Sequence, residues 1–218
     1  CHSYSSNTLA GNRFWASSTE GPINEVEKEQ AVYDAWQRGT AVEEVIRKKE
    51  KEQSALLKER LGLTLEKRGD WARIANADFT KRAALAGLKR NDRLVSINGE
   101  SLRYLNLEVV MKALLLPRYS NFSLEFDRDC LLRKEESPDK LKNLGLQLKL
   151  GYQGLMVSSV REHSAAHAAG LKDEDLLTHV NAISTRYMPL KDVIRLIENA
   201  NEEKMILTVR RSALLTRG

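Results

Sequence analysis

Cysteine is nearly absent: the 218 residues hold two, Cys1 and Cys130. Two thiols cannot build a disulfide framework, and such sparing use suits a reducing compartment or one indifferent to redox state. Long apolar runs are missing too. A run such as residues 113–116 falls far short of the roughly 20 apolar residues that a membrane-spanning helix needs, so the chain does not read as an integral membrane protein. No charge sign dominates. The 35 basic and 30 acidic residues leave a net +5, which is a mixed surface and not the footprint of a nucleic-acid binder. The chain is far from low-complexity. Its 42% hydrophobic and 30% charged residues are ordinary for a globular protein, and its length allows one domain or two small ones.

Recognisable catalytic chemistry is scarce as well. The histidines are His2, His163, His167 and His179. His163 and His167 have a spacing that can bind metal on a helix, but no third ligand accompanies them, and a surface pair is the simpler reading. There is no Gly-x-Ser-x-Gly elbow, no evident Ser-His-Asp set and no phosphate-cradling glycine loop. We expect no catalytic residue, no metal and no cofactor.

Residues 1–21 form a Ser-rich extended tail. Its first nineteen residues contain no Asp or Glu, a composition that fits either the end of an organellar transit peptide or an ordinary polar tail. Residues 22–60 read as a helical arm. Pro22 suits a first turn, and Glu25, Glu27 and Glu29 favour a helix N-terminus. Gly39 suggests a break, after which Thr40 and Glu43 have capping-box spacing. Val42, Val45, Ile46, Leu56 and Leu57 make a thin apolar stripe, and the run Arg47 to Gln53 is a solvated, mixed-charge face. So narrow a stripe calls for packing on a partner or on the following domain.

The remainder repeats. Residue 61 set against residue 144, read on without a gap, gives 19 identities over 68 positions, against roughly four for unrelated segments. Gly62 falls on Gly145, Gly87 on Gly170, Asp92 on Asp175, Asn98 on Asn181 and Arg128 on Arg211. The predicted boundaries are therefore a first unit at 61–128, a charged linker at 129–143, a second unit at 144–211 and a tail at 212–218. Within the second unit, residues 144–150 alternate as a half-buried strand, 164–169 read as a short helix capped by Ser164, and 176–180 as a strand. Residues 190–199 show helical spacing and 205–209 form a closing strand. The first unit repeats this order.

Both units resemble PDZ domains. The likeness rests on four features in order, twice over. These are Arg60, Leu61, Gly62, Leu63 and Asn143, Leu144, Gly145, Leu146; the Ala-x-x-Ala-Gly-Leu corners at 83–88 and 166–171; the strand starts at Asp92 and Asp175; and the asparagines Asn98 and Asn181. The second unit departs from the family at Ala182 and Glu174, where glycine is common. The resemblance implies an α+β chain: two consecutive, partly open antiparallel β-barrels, each with two helices, behind the helical arm.

It also implies a site. Family members bind a partner's C-terminal peptide as an added strand between the second strand and the long helix. Carried over, the amides of Leu61, Gly62 and Leu63, and of Leu144, Gly145 and Leu146, would cradle the terminal carboxylate, helped by Arg60 or Lys58 and by Lys142 or Lys140. Leu107, Met111 and Leu114, and Leu190, Ile194 and Ile197, would line the grooves. Leucine at 107 and 190 implies an apolar side chain two positions before the ligand's end. The alternative is that these leucines are core and the grooves are filled within an assembly. The implied partners are protein subunits or apolar-ended C-terminal peptides, with the arm on a larger organellar assembly, mitochondrial or plastid, and peripheral membrane association open to it. PDZ-like units also stand beside catalytic domains in serine proteases resembling the HtrA and carboxy-terminal processing families. Residues 1–60 are too few for such a domain, which leaves a regulatory fragment as the alternative to an adaptor.

Overall fold

The computed structural model describes residues 25–116, 120–133, 143–200 and 204–216. The tail at 1–21, Pro22, and Lys140 and Lys142 of the expected linker lie outside these residues. Two compact units divide the chain, residues 1–47 and 48–218.

Helix α1 runs unbroken through Glu25–Leu61, 37 residues. The break expected at Gly39 does not occur. A single glycine costs a helix only about 1 kcal/mol, and Gln37, Arg38 and Ala41 around this one are good helix formers. The Thr40 hydroxyl bonds back to the Gln37 carbonyl at 2.8 Å and caps nothing. In the first unit, Gln30 and Gln37 bond across one helical turn to Asp34 and Tyr33. Val32, Tyr33, Trp36, Val42, Val45 and Ile46 all keep exposed side chains. α1 is long but charged, and no helix among the described residues is long and apolar enough to cross a membrane.

The second unit mixes helices with antiparallel sheet. After α1 come β1 (Leu63–Arg68), β2 (Trp71–Ala77), α2 (Arg82–Leu85), β3 (Arg93–Ile97), β4 (Glu100–Ser101), α3 (Leu107–Leu115) and β5 (Asn121–Arg133). The order then recurs as β6 (Leu146–Gly151), β7 (Gly154–Val160), α4 (Ala165–Ala168), β8 (Leu176–Val180), β9 (Ile183–Ser184), α5 (Leu190–Asn199) and β10 (Lys204–Thr216). Every strand of the first set reappears with both ends displaced by the 83 residues of the sequence repeat. Left-handed backbone recurs at the same offset, at Asn91 and Glu174, Asn98 and Asn181, and Tyr104 and Tyr187.

The strands join in one sheet, in the order β1-β2-β3-β5-β10-β8-β7-β6, with β4 beside β3 and β9 beside β8. The seam is β5 against β10, antiparallel over thirteen residue pairs from Asn121↔Thr216 to Arg133↔Lys204. Two cores lie along this sheet. Phe122, Leu124 and Phe126 of β5 enter the first, and Cys130 and Leu132 of the same strand enter the second. β10 mirrors this: Met205, Leu207 and Val209 serve the second core, Ala213 and Leu215 the first. All of these side chains alternate onto one face of their strand, as period-two geometry requires.

Two expected boundaries are thereby corrected. Residues 129–133 are strand rather than linker, and 212–216 are strand rather than tail. Each closing strand continues past its own repeat because its neighbour supplies backbone partners and its neighbour's core accepts its apolar side chains.

The two repeats also share an ion-pair lock. Arg128 clasps Asp92 and the Gly87 carbonyl, at 2.6–2.7 Å. Arg211 clasps Asp175 and the Gly170 carbonyl in the same way. Both aspartates are almost fully buried, where an unpaired charge would be costly. The Asp175 hydrogen bonds and charge raise the Arg211 pKa, although burial works to lower it.

Candidate functional site

β1 and β6 are the two ends of the sheet, so each offers one edge with no strand beside it among the described residues. α3 lies next to β1 and α5 next to β6. A glycine turn leads into each edge. Gly62 (φ +77°) follows the last residue of α1, and its amide donates to the Lys58 carbonyl at 3.0 Å. Gly145 (φ +71°) is its counterpart. A Cβ on Gly62 would collide with the Lys81 side chain, and one on Gly145 with Ser164, again repeat mates. Ser164 caps α4 by accepting from the His167 amide at 3.2 Å.

The ladder fixes which backbone groups face outward. Asp78 N donates to Gly62 O and Arg161 N to Gly145 O, each at 2.8 Å. Leu63↔Ala77 and Leu146↔Val160 are therefore non-hydrogen-bonded pairs, and the N–H and C=O of Leu63 and Leu146 point to the open edge. The amides of Leu61 and Gly62 cannot serve as a carboxylate cradle, contrary to the expectation. Leu61 ends α1 and its amide belongs to the helix ladder, and that of Gly62 closes the helix. Of that trio the Leu63 amide alone points away from β2, within a residue that is itself buried.

The lining residues divide. Leu107, Leu190 and Ile194 are half-buried and keep surface beside the edges. Met111, Leu114 and Ile197 are at most 2% exposed and fill the cores, so they do not line an open groove as expected. Leu61, Gly62 and Leu63, and Leu144, Gly145 and Leu146, are buried too and act through backbone shape. Arg60 and Lys58 are exposed at the first turn; Lys142 lies outside the described residues.

Asp78 and Arg161, which the sequence reading passed over, occupy the same backbone position with opposite charge. Hydrogen bonds from the Thr80 hydroxyl (2.7 Å) and amide (2.9 Å) hold the Asp78 carboxyl below its ordinary value, and the charges of Lys81 and Lys58 push the same way. Arg161 instead reaches the Asn143 carbonyl at 3.3 Å. An anion arriving at the second turn meets a cation where the first turn holds an acid.

Away from the edges, His163 and His167 have ring centroids 6.2 Å apart. Among the described residues no group of three or more His, Cys, Asp or Glu side chains is arranged to hold a metal ion.

Residues 156–211 match the family described as PDZ domain, and these residues form one. The match begins inside β7, so β6 and the Gly145 turn precede it. The chain is also similar to a solved PDZ domain from choanoflagellate SHANK1, bound to a GIRK3 peptide. The two are 22% identical with a TM-score of 0.35, over 40% of this chain and 93% of that one. A PDZ domain is a protein-interaction module, and peptides or proteins are its partners.

Proposed function

We propose that the chain is a non-catalytic scaffold in which both repeats are PDZ-like domains in tandem, each taking a partner's C-terminal segment as an added strand. One observation carries this reading: the two sheet edges, on β1 and β6, that no strand covers among the described residues, each with a half-buried leucine, Leu107 or Leu190, on the helix beside it. An extended peptide laid there completes a ladder that the fold leaves open. The element-by-element recurrence at 83 residues supports extending the PDZ assignment from the second repeat to the first. The exposed Val32, Tyr33 and Trp36 of α1 support a role for the arm in anchoring to a larger assembly. The acid-poor residues 1–19 support an organellar home, mitochondrion or plastid.

Calorimetric titration of the full chain with a short peptide ending Leu-Ala-Val tests the reading. Two binding events are expected, both weakened when the peptide's C-terminus is amidated. No binding at either repeat would leave the repeats purely structural.

A further inference from the structure

The seam between the repeats carries a local two-fold axis. Each residue of β5 has a repeat mate 83 positions on in β10, and the pairing register carries this relation onto itself. Asn121 faces Thr216 and Arg133 faces Lys204, while the mates of Asn121 and Arg133 are Lys204 and Thr216. Only Asp127 faces its own mate, Arg210, so the axis passes between them. A half-turn about it exchanges β1 with β6 and α3 with α5.

The axis is locked. Arg210 binds Asp127 through two bonds, 2.8 and 3.1 Å, and Arg93 reaches the same carboxylate from β3. The Asp127 side chain is 1% exposed. In a strictly symmetric pair this position would set like charges face to face, whereas here it holds an ion pair. The thirteen-pair ladder and the exchanged strand tips leave no hinge within the seam.

We infer that this protein binds a two-fold-symmetric partner bivalently, holding two copies of one apolar C-terminal tail at once, one on β1 and one on β6. The inference rests on the peptide-edge reading above. Its support is the match between the edges: identical Gly-Leu entrances, half-buried Leu65 and Leu148 on the strands, and Leu107 and Leu190 at the helix starts. Two tails related by a half-turn meet two edges related by a half-turn. The edges lie seven inter-strand steps apart, at most about 34 Å along the sheet at roughly 4.8 Å per step. Asp78 and Arg161 make the intrinsic affinities unequal, which simultaneous engagement tolerates.

The test compares one tail in two forms on the full chain: a monomeric peptide ending Leu-Ala-Val, and the same tail on a flexible linker after a parallel coiled-coil dimer. Two monomeric peptides per chain are expected, but one dimer per chain, bound about 100-fold more tightly or better. Leu107→Lys or Leu190→Lys should each abolish that gain while leaving one monomeric site. If the monomeric peptide binds both edges but the dimer gains nothing, or links chains into larger assemblies, the bivalent geometry is wrong and the peptide-edge reading survives. If the monomeric peptide binds neither edge, both fall.

Discussion

At Gly62 and Gly145 the backbone is left-handed and the space a Cβ would need is occupied. Alanine at either position pays both strain and a steric clash, about 2–4 kcal/mol together. Urea denaturation of Gly62→Ala and Gly145→Ala should show that loss, and an unchanged midpoint would refute the tight turn. His179 makes a second residue-scale prediction. Burial, and then the charge of Arg93, hold its pKa below the ordinary 6.5. As pH falls through that value the unfolded chain takes up the proton first, so this contribution to stability is intact above pH 6.5 and declines below it. Thermal melts from neutral to mildly acidic pH should show the decline, and His179→Gln should flatten it. Both glycines were legible in the sequence because each stood in a repeated motif. Asp78 and Arg161 were not, since a position where the repeats differ carries no repeat signal.

Among the elements, the closing strands depart furthest from expectation. Alternation in β5 continues beyond Arg128 as Cys130 and Leu132, and in β10 beyond Arg211 as Ala213 and Leu215. Leu131 matches Leu214, and Leu132 matches Leu215, at the same 83-residue offset, so the repeat signal itself ran to the strand ends. The charged stretch around Asp127, Arg128 and Asp129 hid it, because buried ion pairs look like a linker when their partners are distant in sequence. The continuous α1 was missed for a related reason: a lone glycine is weak punctuation against strong helix formers. The strand exchange has a measurable consequence. Leu215 is 1% exposed in the first core. Leu215→Ala should cost about 2–5 kcal/mol, and hydrogen exchange should accelerate across β3 and residues 121–126, far away in sequence. Acceleration confined to 212–216 would mean that this strand tip merely covers the first repeat.

For the whole second unit, neither repeat completes its own core, so the two form one continuous sheet rather than separate modules on a linker. The sequence showed the duplication, the order of elements and the resemblance that led to the edges. It could not show the shared seam, because strand pairing between repeats is a tertiary fact with no local periodicity. Cys130 reports on this seam: burial lifts its thiol to about 11, leaving little thiolate at neutral pH. Mass-mapped alkylation should therefore modify Cys130 only under denaturing conditions, and rapid labelling of the native chain would indicate an open seam. The proposed function depends on the two outer edges accepting strands. Its most direct test is an amide NMR titration of the full chain with the peptide ending Leu-Ala-Val. The amides of Leu63 and Leu146 should shift strongly, while those of β5 and β10 stay unmoved. A titration that leaves Leu63 and Leu146 unchanged while the peptide binds elsewhere would contradict it.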